Sequence, residues 1–412
     1  MACYGPIEAT EAQDIGGGAE NWQLSRSWLK WPEVSPVMVL TNIPNHYRVP
    51  LFNELMRQLA DVGKVLVVLF AAETYERRRS TGKETRLEDA AFEWHILPSL
   101  TVGRYRPIFV PRGLTTMIES YRPSAIVAAG MGSLALAASR AARKRGIPLM
   151  IWSGEIESSS MVSHLKRPLK RYLLRQASAV ITYGSGSADF VRELVPQKVI
   201  YPAWNTVDVG PFLSVGRRGA MNEGDPVRMV TVGDLVESKG YRFMLRAVAR
   251  LSVELRQRME LVVVGDGPQR DELRSLAESL DLGDRVYFPG RRPAREVPAM
   301  LAGSDAFVFS SLGEPWGLAL VEAMAAGLPV IASSKAGATR DLVIPGTGLV
   351  VDPVDVGAFT EALASMVSLS AKDRDEMGMR ARAHVGKLCS LENSAAGFMN
   401  AIRHALTSSP SA

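Results

Sequence analysis

DAFVFSSLGEPWGLALVEAMAAGLPV, residues 305–330, runs through a strand, a loop, a helix and a helix exit without interruption. DAFVFSS is a short apolar run of the buried-strand kind. SLGEP is the loop at its carboxyl end. Pro315 suits the first turn of a helix, where its missing N–H costs nothing. WGLALVEAMAA continues as that helix and Gly327 ends it. A buried strand feeding directly into a helix is half of a βαβ unit, so the sheet is parallel and covered by helices. Glu314 stands before the helix N-terminus and Glu322 lies about two turns in.

That placement gives the two carboxylates different surroundings. The N–H groups of Trp316, Gly317 and Leu318, with the helix dipole, favour an anion by about 0.3–1 kcal/mol when exposed and up to about 2 when partly buried. Glycine at 317 lets a ligand approach the backbone closely. Carboxylates accept hydrogen bonds from sugar hydroxyls. A phosphate at the helix end with sugars on either side would use all of these groups. The plainer alternative is that Glu314 merely charges the helix start and Glu322 pairs with a cation. The apolar setting of Glu322 and the Pro-x-Gly after Glu314 count against it.

The same alternation extends in both directions. Upstream, VMVLT (37–41), KVLVVLF, SAIVAA (124–129), IPLMIW and AVITYG read as strands. VPLFNELMRQLADV, LALAASRAARKRG and LKRYLLRQA read as the helices between them. LSVGRRGAMNEGDP (213–226) is Gly-rich, polar and aperiodic, a linker. The pattern then restarts. VRMVTVG, MELVVVG, RVYFPG, DAFVFSS, PVIAS and GLVV are strands; YRFMLRAVARLSVEL and QRDELRSLAESL are helices. SLENSAAGFMNAIRHAL closes the chain as an amphipathic helix. The expectation is an α/β protein of two doubly wound, Rossmann-like domains in tandem with a cleft between them, where ligands bind at strand carboxyl ends. Its divisions are a disordered extension (1–35), an N-terminal domain (36–205), a C-terminal domain (206–388) and a final helix (389–412) returning to the N-terminal domain.

Bulk properties agree. The chain has 412 residues, 47% hydrophobic and 22% charged, enough for two domains with sizeable cores. Net charge is +5 and the pI about 9.2. That is too little for a nucleic-acid binder, but it allows acidic substrates or an anionic membrane surface. Cys3 and Cys389 make neither a zinc site nor a disulfide framework, which fits a reducing compartment. No run reaches about 18 apolar residues, the length a membrane span needs. MACYGPIEATEAQDIGGGAENWQ has no apolar segment of a signal peptide. A cytoplasmic location follows, with peripheral contact at the inner membrane face left open.

Residues 314–330 match E-x-[FW]-G-x-x-x-x-E-A-M-A-x-G-x-P-V, the E-x7-E signature, and so resemble the retaining glycosyltransferases of the GT-B fold, family 4 (group 1). VGDLVESKG (232–240) is similar to that family's phosphate loop. VVVGDGP (262–268), YFPGRR (287–292) and AGATRDLV are similar to its later loops. The N-terminal half resembles it more loosely, through NHYRVPLF and RQASAVITYG. The resemblance implies a hexosyltransferase-type enzyme with a nucleotide-diphospho-sugar as co-substrate and no cofactor or metal. Glu322 would bind the ribose hydroxyls. Glu314 would bind the transferred sugar and face its anomeric carbon. The backbone from Trp316 through Gly317 to Leu318 would hold sugar and diphosphate. Lys239 would clamp the diphosphate, with Gly233 and Asp234 in the same loop. Arg291 lies where the base pocket takes main-chain contacts. The acceptor would be a saccharide, a lipid-linked intermediate or a small molecule. Its hydroxyl would attack from the leaving group's face while the departing phosphate takes the proton. Polysaccharide, lipid-linked glycan or glycoconjugate biosynthesis is the implied role.

Two positions depart from the family pattern. Asp234 stands where its phosphate loop usually has an arginine; Arg48 and Arg292 are the candidate replacements. After IPLMIW, where many members have a histidine, this chain has Ser153, Gly154 and Glu155. Glu155 is thus a candidate for sugar or acceptor contact. His46 and Arg48, in the first N-terminal loop, are candidates for an acceptor-side base and a phosphate partner. HLKRPLKRYLLR (164–175) is a basic, partly amphipathic helix that either rests on an anionic membrane or is simply solvated.

Three other readings compete. GMGSLA (130–135) with Glu155 outlines a dinucleotide fingerprint and so an NAD(P)-dependent dehydrogenase, though it sits far from the first strand. Asp234 and the missing histidine fit a GT-B isomerase acting on nucleotide sugars, or a non-catalytic sugar-nucleotide binder. Asp373-Arg374-Asp375 outlines a metal-binding D-x-D but lies in a polar helical stretch, and no metal is implied.

Overall fold

The structure, a computed structural model, describes residues 34–74, 87–102, 108–157, 164–216 and 225–408. Residues 1–33 of the extension and 217–224 of the linker lie outside the described residues.

Two parallel sheets follow one another along the chain. The first has strands β1 (Val37–Thr41), β2 (Leu66–Phe70), β3 (Glu93–Ile96), β6 (Ala125–Ala129), β7 (Leu149–Ser153), β8 (Ala179–Thr182) and β9 (Ile200–Pro202) in the order β3-β2-β1-β6-β7-β8-β9. Between β3 and β6, β4 (Ser99–Val102) and β5 (Ile108–Pro111) form a separate antiparallel hairpin. The second sheet has β10 (Val227–Val232), β11 (Met259–Val264), β12 (Val286–Gly290), β13 (Ala306–Phe309), β14 (Val330–Ser333) and β15 (Gly348–Val351) in the order β12-β11-β10-β13-β14-β15. These are the two doubly wound domains read from the alternation. β1, β2, β7, β13 and β14 are buried along their whole length, as expected of strands covered on both faces.

Each sheet is sandwiched between two apolar layers. One layer of the first contains the last helix, Leu391–Ser408, whose Phe398, Met399 and Ile402 are buried. Burying such a side chain is worth about 1.5–3 kcal/mol. Phe398 meets Trp152 of β7 with ring centroids 5.1 Å apart. Gly397 is required there, because a Cβ would stand 2.2 Å from the Pro202 carbonyl oxygen. The chain therefore crosses between domains twice, near 203–210 and near 389–391. The two crossings touch: Thr206 Oγ1 donates to the Cys389 carbonyl and Ser394 Oγ to that of Trp204.

Two local readings are corrected. YRFMLRAVARLSVEL is two helices, Tyr241–Ala249 and Val253–Gln257. Ser252 interrupts it by capping the second one, accepting from Leu255 N at 3.3 Å. The motif helix is Leu318–Ala325, so Pro315 lies outside its first turn. Glu314 instead bridges Ala336. Gly337 N donates to Glu314 O at 2.9 Å and Ala338 N to Trp316 O at 3.2 Å. Residues 314–316 are thus pinned to residues 336–338 through an isolated parallel bridge at Glu314, and Glu322 comes little more than one turn into the helix.

Candidate active site

β10 and β13 are neighbours, but their connections run to opposite sides of the sheet, β10 to β11 and β13 to β14. The loops leaving their carboxyl ends diverge and open a crevice at this switch point. One is 233–240; the other is 310–317. Ser310 Oγ donates to Lys239 O at 2.8 Å, Ser311 Oγ to Ser238 O at 3.2 Å and Leu312 N to Ser238 O at 2.8 Å. Gly240, with φ +69°, permits this: a Cβ would lie 2.2 Å from Ser310 O.

The stitched loops bring together two residues 75 positions apart. Lys239 Nζ donates to Glu314 Oε2 at 2.5 Å. Ser311 Oγ stands 3.2 Å from the same oxygen, so its single hydrogen serves either this carboxylate or Ser238 O. The side chains are 22% and 25% exposed, and pairs this close to solvent contribute only about 0–1 kcal/mol. The pair's importance is therefore positional. Trp316 and Gly317 turn the chain from Glu314 into the helix. Gly317 has φ +121°, and a Cβ there would stand 2.8 Å from the Phe309 ring. At the start of Leu318–Ala325, Leu320 N and Val321 N donate to Gly317 O at 3.0 and 3.5 Å, which leaves the N–H groups of Leu318 and Ala319 as those without an acceptor inside the helix. Glu322 is half-buried on that helix.

Asp234, at the family's arginine position, faces Arg291. Arg291 Nη2 donates to Asp234 Oδ1 at 3.4 Å. Asp234 is thus engaged by Arg291, which directly follows β12. Gly233 and Gly265 touch backbone to backbone, since a Cβ on Gly265 would lie 1.8 Å from Gly233 O. Tyr241 sits beneath; burial, with Glu314 and Asp234 nearby, pushes its hydroxyl well above the usual range.

Of the N-terminal candidates, Arg48 is 8% exposed and faces its own domain. It donates to Thr41 Oγ1 at 2.6 Å and Tyr183 OH at 3.2 Å, and stacks over Trp152 at 4.5 Å. His46 is exposed after β1, edge-on to Tyr47. Glu155 follows β7 and accepts from Lys170, whose side chain is only 5% exposed. Sequence reading placed Lys170 on a basic outer face. The spacing of Lys170, Leu173, Leu174 and Ala177, all buried, is an inward helical stripe that would have found it. Ser311 and Trp204 were also missed; the Trp204 ring meets Trp316 at 6.1 Å.

The domains meet beside this site. A Cβ on Gly184 would stand 2.4 Å from the Trp316 ring and 2.5 Å from Asp341 Oδ2. Ser185 N donates to Asp341 Oδ2 at 2.9 Å, which caps the helix Ser185–Leu194 from the other domain. Ile156 lies 3.4 Å from where a Cβ on Gly337 would stand. Burial pushes the Asp341 carboxyl above its ordinary value. A proton held more tightly in the fold than in the unfolded chain stabilises the fold at low pH, and that contribution is lost as pH rises through the raised value. Asp341→Asn keeps an acceptor for Ser185 and removes the buried charge. It should melt higher than wild type at pH 7, and the gain should vanish below about pH 4. Equal melting temperatures across that range would show that the charge is not penalised.

Two family models match the chain, Glycosyl transferases group 1 over residues 217–384 and Glycosyl transferase 4-like domain over 50–202. Among curated relatives, the lipopolysaccharide core biosynthesis glycosyltransferase LpsE of Rhizobium meliloti is 30% identical over 49% of this chain and 57% of its own length. The 2-deoxystreptamine glucosyltransferase of Streptomyces kanamyceticus is 31% identical with the same coverage. The chain thus spans little more than half the length of these relatives. Among solved structures, Anabaena HepE in complex with UDP has a TM-score of 0.70 at 17% identity, covering 89% of this chain and 99% of its own. The lipopolysaccharide outer core galactosyltransferase WaaB has a TM-score of 0.69 at 15% identity with the same coverage. No helix among the described residues is long and apolar enough to cross a membrane. One glycosyltransferase model matches each domain, and both sheets are wound as in these neighbours, so the chain has the GT-B fold.

Proposed function

We propose that the protein transfers a sugar from a nucleotide-diphospho-sugar to an acceptor hydroxyl with retention of configuration, in building a polysaccharide, lipid-linked glycan or glycoconjugate. The observation that carries this is the contact of Lys239 with Glu314 at the switch point, beside the helix start at Gly317. The diphosphate lies against Lys239 and the N–H groups of Leu318 and its neighbours. The sugar's hydroxyls donate hydrogen bonds to Glu314, and the ribose hydroxyls donate to Glu322. The acceptor oxygen bonds to the anomeric carbon as the bond to the diphosphate oxygen breaks. The acceptor proton passes to that departing oxygen. Lys239 and the helix end stabilise the charge that grows there, so the reading assigns no step to a metal. Support comes from relatives named for lipopolysaccharide core and 2-deoxystreptamine glycosylation, and from a neighbour solved with UDP and with UDP-glucose.

A second reading, a sugar-nucleotide isomerase or non-catalytic binder, is favoured by one observation: Asp234 occupies the loop and engages Arg291. Thermal-shift measurements with UDP, GDP, ADP, their sugar conjugates, NAD and NADP separate these. One nucleoside diphosphate should raise the melting temperature, and Glu322→Ala should abolish that rise. Stabilisation by NAD or NADP alone would overturn the transferase reading in favour of the glycines at 130–132. Donor binding without release of sugar to any acceptor or to water would favour the second reading.

A further inference from the structure

The exits of β10, β11 and β12 are laced together in a row. Gly233 N donates to Val264 O at 3.0 Å, Leu235 N to Asp266 O at 3.0 Å and Gly265 N to Gly290 O at 3.1 Å. Two glycines allow so close an approach. A Cβ on Gly265 would lie 1.8 Å from Gly233 O, and one on Gly267 would lie 2.5 Å from Leu235 O. Arg291 therefore leaves β12 beside Asp234, 57 positions away in sequence. Its Nη2 meets Asp234 Oδ1 at 3.4 Å, with the two side chains 39% and 20% exposed. Among the described residues, Asp234 is the partner that the Arg291 guanidinium has.

The charges at the crevice call for that cation. Glu237 of the loop is paired with Arg242, and Glu314 with Lys239. Asp234 adds a carboxylate where the family's loop usually adds an arginine. With Lys239 as the only base, Asp234 and Glu314 would outnumber it, and the crevice would repel a diphosphate. Arg291 balances the four side chains. The free N–H groups at the helix start then favour the anion unopposed. Arg270, the next cation along the row, is held by Asp266 at 3.4 Å. A guanidinium presents a planar fork of N–H donors. One of them goes to Asp234, and the rest fit a pair of phosphate oxygens, a match that a lysine's point charge does not offer.

We infer that Arg291 clamps the donor's diphosphate from the exit of β12, in place of the arginine that the family's loop usually carries, and that Asp234 is the positioning residue that holds its guanidinium at the loop. The cation is reached from a neighbouring strand rather than from the loop itself. This rests on the transferase reading for the ligand, and a non-catalytic sugar-nucleotide binder would use Arg291 in the same way. A side chain in the base pocket would respond to the nucleoside. A diphosphate clamp responds to the phosphates alone.

Calorimetric titration of the full-length protein with UDP, GDP and ADP, with the matching nucleosides as competitors, reads this directly. For the nucleoside diphosphate that wild type binds, Arg291→Ala should weaken binding by about tenfold to a hundredfold and change nucleoside binding by less than about twofold. Arg291→Asp should be worse, because it sets two carboxylates together. Adding Asp234→Arg to it should bring binding back to within about threefold of wild type. Melting temperatures without ligand should not move, since the pair lies near solvent. Equal losses for nucleoside and nucleoside diphosphate would overturn the inference and give Arg291 to the base. An Arg291→Ala variant that binds the diphosphate like wild type would overturn it too, as would a charge swap that restores nothing. If wild type binds none of the nucleoside diphosphates, the donor reading itself falls, and this inference with it.

Discussion

Lys239→Ala is expected to lower kcat/KM for sugar-nucleotide turnover by about a hundredfold to a thousandfold. Two effects act together. The diphosphate loses the cation that meets its developing charge, and Glu314 loses the partner 2.5 Å away. Losing one preorganised donor to a charge that develops in the transition state costs about 2.7–4 kcal/mol, which spans that range. Glu314→Ala should also be severe, because the sugar loses a hydrogen-bond partner beside its anomeric carbon. The double variant should cost clearly less than the product of the two, since each single change already disrupts the same contact. The check is steady-state release of nucleoside diphosphate from the donor identified by thermal shift. Fully multiplicative effects would mean that the two side chains act independently, and the geometry at the switch point would then be incidental.

The second large effect is on stability. Gly265→Ala would place a Cβ 1.8 Å from Gly233 O, and Gly265 has φ +150°, which side-chain-bearing residues rarely adopt. Neither contact partner is a side chain able to rotate away. The carboxyl ends of β10 and β11 must separate, and the 233–240 loop that carries Lys239 moves with them. A loss of about 3–4 kcal/mol or more is expected, seen as a melting temperature lower by about 10 °C. Gly283→Ala is the matched control, with nothing within 4 Å of the added carbon. If the two variants melt together, the close approach of β10 and β11 does not constrain the fold.

Much of this site was legible because it is local in sequence. The spacing of Glu314 and Glu322 and the run from Gly233 to Lys239 each sit on one strand–loop–helix unit, where hydrophobic period and glycine placement are strong signals. What was misread depends on contacts between distant segments. Pro315 looked like a helix start because nothing in its neighbourhood reveals the pairing with residues 336–338. Arg48 is a candidate phosphate partner by sequence, and its contact with Tyr183, 135 positions away, has no local signal. The hairpin β4–β5 went unread because its strands are four residues each and their apolar positions face solvent, which no core pattern marks. Lys170 was misplaced for a different reason: its charge outweighed a helical stripe that the sequence did contain.

The last helix has a bearing on how the molecule is made. Phe398, Met399 and Ile402 fill one apolar layer of the first sheet, yet they are synthesised about 200 residues after β8 and β9. The N-terminal domain therefore cannot seal that layer while the ribosome is still working on the second domain. Its sheet must wait with one flank bare until residues 391–408 emerge.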